Sequence, residues 1–253
     1  AESMVYRTAG MMDARLNAIR CDHEPTPQDT RDTVEEYAIE CSIMKVYGSE
    51  MLQFVTDELV ATMGGYGYVE EYPAERFYRD ARINRIFEGT NEINRLIVSG
   101  WIMKRAMKGK LPVMAAIKRV MDEVMTPPGI DIGTGSDEVL ARESAIITAM
   151  KKMALFIAGV ASQRFMMSLE NEQEVMADLA DTIIQIYALE SALLRARKLS
   201  ANKKPSALAA AAMAGLLADE SMALAEHAAR RVLAACSQGD TLQTQLAILR
   251  RLA

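Results

Sequence analysis

Glu88 is the residue whose setting best suits acid–base chemistry. It ends a charged segment, Arg79-Asp80-Ala81-Arg82-Ile83-Asn84-Arg85-Ile86-Phe87, and is followed by Gly89 and Thr90. Gly89 permits a sharp turn. Thr90 predicts an N-cap, its hydroxyl accepting an orphan amide of the helix that follows. Ile93, Leu96, Ile97 and Trp101 recur at helical spacing and predict one buried stripe on that helix. A carboxylate held between two ordered elements, beside a helix N-terminus, can act as a general base. Acidic residues also collect near helix starts for dipole reasons alone. Spacing therefore leaves a solvated loop glutamate open beside the base.

Gly64-Gly65-Tyr66-Gly67-Tyr68 is the second stretch of interest. A double glycine caps a helix C-terminus. Its bare backbone amides can also approach a phosphate or a planar cofactor closely. Other chemistries find little support. His23 and His227 are the only histidines and neither sits in a Glu-x-x-His pair, which argues against a di-iron bundle and yields no metal ligands. No nucleophile elbow and no P-loop is present. The 18 methionines suit gap filling between packed helices.

The elements that must position these residues read as helices throughout. Ala, Leu, Met, Glu and Arg abound, and alternating runs are nearly absent. Met4, Met11, Met12, Leu16 and Ile19 predict a first helix closed by Asp22-His23-Glu24-Pro25. Thr26-Pro27-Gln28-Asp29 starts the next, with a capping threonine, proline at the first position and an acidic first turn. It is expected to run as one long helix, through Gly48, to Gly64-Gly65. Residues 66–74 read as a loop, 75–85 as a short helix or turn, 90–107 and 111–125 as helices. The run 126–137, rich in Pro, Gly and capping residues, cannot be helical and reads as a linker. Helices are expected over 138–169, 172–200 and 205–237, with Gly239 a stop signal before a terminal helix bearing Leu242, Leu246, Leu249 and Leu252. The expectation is all-α: a helical bundle over 1–110, a helix and linker over 111–137, and an additional helical domain over 138–253.

Composition sets the outer limits. The 253 residues carry a net charge of -5, which gives nucleic-acid binding no support. Charge is uneven: from Arg195 onward nine basic residues face four acidic ones. Cys21, Cys41 and Cys236 are sparse and odd in number, arguing for a reducing compartment. The apolar run 207–218 is too short and alanine-rich to span a bilayer. The start, Ala-Glu-Ser-Met, enters helical periodicity at once, as a truncated chain would.

Four ordered blocks carry a resemblance: Met63-Gly64-Gly65-Tyr66-Gly67-Tyr68, Glu71-Tyr72-Pro73, Arg79-Asp80-Ala81-Arg82-Ile83 and Phe87-Glu88-Gly89-Thr90-Asn91-Glu92-Ile93. Together they resemble the C-terminal helical domain, an up-down bundle, of acyl-CoA dehydrogenases, over roughly residues 1–110. The helices after 111 resemble the very-long-chain type, which has an additional C-terminal domain. The resemblance implies FAD-dependent α,β-dehydrogenation of a fatty acyl-CoA, with Glu88 as the α-proton base and its backbone amide in an oxyanion hole. It implies that Phe87 and Gly89 line the substrate site, that Thr90 and Glu92 contact FAD, and that Gly64 and Gly65 reach FAD of a neighbouring subunit. Ala61 departs from the pattern, since the family commonly has glutamine there. The family's N-terminal helical and middle β-domains have no counterpart, so the chain is expected to be a C-terminal fragment, inactive alone.

The implied partners are electron-transferring flavoprotein and a second copy in a homodimer. The implied location is cytoplasmic or mitochondrial-matrix, with peripheral membrane contact through the basic C-terminal part. Two other readings stand beside this one. The chain could serve as a non-catalytic helical module for dimerisation or membrane-surface attachment, or belong to an acyl-CoA oxidase.

Overall fold

The computed structural model describes residues 1–125 and 139–253; the expected linker over 126–137 lies outside the described residues. Among the described residues every regular element is a helix, and the architecture is all-α, with helices running up and down between short connections. The chain divides into two compact units, 1–98 and 99–253.

The first unit holds α1 (Glu2–Arg20), α2 (Pro27–Glu36), α3 (Ala38–Met63), the one-turn α4 (Gly65–Tyr68), α5 (Ala74–Ile83) and the start of α6 (Asn91–Met107). Its apolar core is small, with Met4, Ile39, Ile43, Val46 and Val98 fully or nearly buried. α2 begins as the sequence predicts. Thr26 Oγ1 accepts from the Asp29 amide at 3.2 Å, and the Asp29 carboxylate accepts from the Thr26 amide at 2.9 Å, a closed capping box.

The expected single helix from Thr26 to Met63 is two helices. The break falls at Tyr37, with φ −98° and ψ 20°, and Gly48 is an ordinary interior residue of α3. Tyr37 sends its hydroxyl to the Met11 carbonyl of α1 at 3.3 Å, so a tertiary contact sets the bend where no Gly or Pro marks it. Within the expected loop over 66–74, Gly65–Tyr68 closes one helical turn.

The second unit continues through α7 (Val113–Met125), α8 (Ala141–Phe165), a 3-10 turn (Met166–Asn171), α9 (Gln173–Ala201), α10 (Ala207–Cys236) and α11 (Gly239–Leu252). The helix expected over 138–169 thus ends at Phe165, and Gly239 opens α11 at φ 56°. Its core is larger: Met150, Met153, Phe156 and Ile157 of α8 bury alongside Leu189 and Leu193 of α9 and Leu233 of α10. Ala214, Ala218, Ala225 and Ala229 supply α10's small buried face. α8 with its 3-10 turn and α10 are each long and apolar enough to cross a membrane by length and composition. Arg251 of α11 donates to the Val124 carbonyl at 2.7 Å, satisfying an orphan acceptor at the end of α7.

Candidate active site at the turn into α6

Seven side chains or glycines were singled out from sequence, and two turns present them. Phe87, Glu88, Gly89, Thr90 and Glu92 come together at the α5–α6 junction, while Gly64 and Gly65 form the α3–α4 turn. α5 ends at Ile83, and seven residues connect it to α6. Phe87, Glu88 and Gly89 are exposed. Glu88 has φ 54° and Gly89 φ 82°, two consecutive residues in the left-handed region. Glycine takes that conformation freely, but a side-chain-bearing residue there costs about 1–2 kcal/mol. A Cβ on Gly89 would also stand 3.1 Å from Asn94 Nδ2, so that side chain would have to yield by a few tenths of an ångström.

Thr90 caps α6 as expected: its Oγ1 accepts the Ile93 amide at 3.2 Å. Glu92, in the first helical turn, is held below the usual carboxylate range. Its own backbone amide is the main cause, with the Thr90 hydroxyl, Arg95 and Arg85 adding to it. At the other turn Gly64 ends α3 at φ 59° and ψ −136°, a conformation that a side chain would resist. Nothing lies within 4 Å of a Cβ built on Gly64 or Gly65, so the backbone there faces open space. Beside that turn a groove of ≈ 1290 Å³ is lined by Val60 of α3, Tyr68, Tyr78, Arg82 and Ile86, among others.

The expected buried stripe of α6 is not the buried one. Ile93 is 51% exposed, and Leu96 and Ile97 are half-buried. The inward face within this unit is Asn91 (0% exposed), Asn94 (7%) and Val98. The reason is what faces it from α3, a polar seam. Asn91 Oδ1 accepts from Lys45 Nζ at 2.7 Å, and Asn91 Nδ2 donates to Ser49 Oγ at 3.0 Å and Glu50 Oε1 at 3.1 Å. Glu50 is also held by both guanidinium ends of Arg95, at 2.9 and 3.1 Å, with Arg85 at 3.7 Å. Burial lowers the Lys45 pKa from its ordinary value, while the carboxylates of Glu92, Glu50 and Glu88 pull it back up. The Asn91 amide finally closes the site loop by donating to the Arg85 carbonyl at 3.1 Å.

Lys45, Ser49, Glu50, Asn91 and Asn94 escaped the sequence reading. Periodicity counts apolar residues, and this face has almost none. The available signal was Asn91 and Asn94 one turn apart on α6, matched by Lys45, Ser49 and Glu50 on one side of α3.

Comparison with known proteins follows the same lines. The family described as "Acyl-CoA dehydrogenase, C-terminal domain" matches residues 1–103, and a second family of the same description matches 149–251. A "Probable acyl-CoA dehydrogenase" of Bacillus subtilis (strain 168) is 40% identical over 99% of this chain and 42% of its own length. The mitochondrial very long-chain specific acyl-CoA dehydrogenase of Rattus norvegicus is 32% identical over 68% of this chain and 29% of its own. The crystal structure of an acyl-CoA dehydrogenase complexed with FAD from Bacillus anthracis superposes with a TM-score of 0.89 at 38% identity, covering 100% of this chain and 43% of that one. The chain thus spans about two fifths of the length of its full-coverage relatives.

Proposed function

We propose, from the premise that the chain belongs to the acyl-CoA dehydrogenase family, that it is the C-terminal part of an enzyme that dehydrogenates a fatty acyl-CoA between its α and β carbons. Glu88 is the base. The observation that carries this is the Glu88 turn: an exposed carboxylate on a left-handed backbone, next to a capped helix start. The α-proton of a thioester is weakly acidic, so its removal needs a carboxylate fixed against that carbon. Covering the site by substrate would strip water from the carboxylate and strengthen it as a base. The Glu88 amide is the donor for the thioester oxygen, and Phe87 and Gly89 line the acyl-CoA.

The residues present suit a flavin. Gly64 and Gly65 offer backbone with no atom crowding their Cβ positions, which suits a phosphate or a planar ring. Thr90 and Glu92 would hold FAD, and the two glycines would reach the FAD of a neighbouring subunit. FAD, when bound, supplies the acceptor for the β-hydride. The division into 1–110 and 138–253, a homodimer, and electron-transferring flavoprotein as electron acceptor belong to the same proposal. In the full-length enzyme Glu88→Gln should lower turnover by about 10²–10⁴-fold while leaving the flavin bound. Near-normal turnover would reject the assignment. Supplying oxygen in place of electron-transferring flavoprotein tests the oxidase alternative.

A second reading draws on the other unit. Leu208, Met213 and Leu216 of α10 are 83%, 65% and 63% exposed, close in sequence to Lys203 and Lys204. Apolar residues beside cations suit attachment to an anionic membrane surface. Co-sedimentation with phosphatidylserine vesicles, but not with phosphatidylcholine ones, is the expected result. Binding to neither removes this reading.

A further inference from the structure

We propose that Asn94 is a positioning residue for Glu88, fixing the strained turn from which the carboxylate projects; this rests on the reading of Glu88 as the base. A left-handed glutamate persists only where its surroundings over-determine it. Here the restraint comes from below. Asn94 is buried, and its Nδ2 donates to the Gly89 carbonyl at 2.9 Å and to the Thr90 carbonyl at 3.0 Å. A side-chain amide has two hydrogens, so one group reaches both carbonyls. The Thr90 carbonyl also accepts the Asn94 backbone amide at 2.9 Å, whereas the Gly89 carbonyl depends on the side chain. The two carbonyls belong to the two residues that follow Glu88. Their orientation fixes the far side of the turn, just as the Asn91 amide on the Arg85 carbonyl fixes the near side.

The length of the side chain matters. Nδ2 already stands 3.1 Å from where a Gly89 Cβ would be, so an amide one methylene longer would be driven into the loop. Leucine in its place would fill the volume and leave the Gly89 carbonyl without its donor. The result is a base whose direction is set by a residue that never meets substrate. A misplacement of about 1 Å in a reacting group can cost about a hundredfold in rate.

The test uses the full-length flavin-loaded enzyme and the near-isosteric Asn94→Asp, which removes the donor. Two quantities are read. One is kcat and KM for a saturated straight-chain acyl-CoA. The other is exchange of the α-hydrogens with solvent in an acyl-CoA whose β-carbon is replaced by sulfur, so that only proton removal is followed. The expected outcome is a drop of about 10- to 100-fold in kcat and in exchange, with KM within about twofold and flavin content unchanged. Exchange at the wild-type rate in Asn94→Asp overturns the proposal. Glu88→Gln is measured in parallel. Loss of exchange there, with normal exchange in Asn94→Asp, overturns the positioning role alone, whereas retained exchange in Glu88→Gln overturns both. Should Asn94→Asp release its flavin, Asn94→Ser, whose hydroxyl cannot span to the Gly89 carbonyl, is read by the same criteria.

Discussion

Glu88 occupies a backbone conformation that its residue type disfavours, at φ 54°. That conflict can be measured apart from catalysis. Glu88→Gly should be more stable than Glu88→Ala by about 1 kcal/mol, because only glycine enters the left-handed region without strain. The comparison of thermal midpoints checks it; an alanine variant at least as stable as the glycine one would mean that the turn is not strained. The same residue shows how far the sequence reaches. Glu88, Gly89 and Thr90 were legible as a turn and a cap because their chemistry is local. Nothing local announces that a buried asparagine five residues beyond Gly89 holds its carbonyl.

At the scale of elements, the start of α2 was legible to the residue and the break that ends it was not. Thr26, Pro27 and Asp29 act on their own backbone, whereas Tyr37 bends the chain through a contact with α1. The capping box gives a prediction with a definite sign. The Thr26 hydroxyl, then the Thr26 amide, then His23 hold the Asp29 carboxyl down from 3.8 to about 2. A depressed carboxyl adds stability that is fully present above pH 3.8 and is lost as pH falls through about 2. An NMR titration of Asp29 should give a midpoint near 2, moving up toward the ordinary value in Thr26→Ala. An unmoved midpoint in that variant would show that the cap is not the cause. The α6 stripe teaches the converse: a periodicity of Ile93, Leu96 and Ile97 marks a helix correctly yet names the wrong inward face, because α3 offers that helix an ammonium, a hydroxyl and a carboxylate to meet.

For the molecule as a whole, the all-α class followed from composition, and the two units follow different packing logics. The second is built like an ordinary helical core. Phe156 is almost fully buried in it, and Phe156→Ala should destabilise that unit by about 3–5 kcal/mol, read by denaturant unfolding of helical signal. A loss below about 1 kcal/mol would contradict the packing described. The first unit has a thinner apolar core and leans on the seam of Lys45, Ser49, Glu50, Asn91 and Arg95. An oily seam tolerates sliding, since one apolar side chain substitutes for the next when a helix slips by a turn. Here a slip of α6 along α3 would strand an ammonium, a carboxylate and an amide without partners, each at a cost of about 1–3 kcal/mol. The seam therefore acts as a register key, rejecting misaligned assemblies of the two helices while the chain folds.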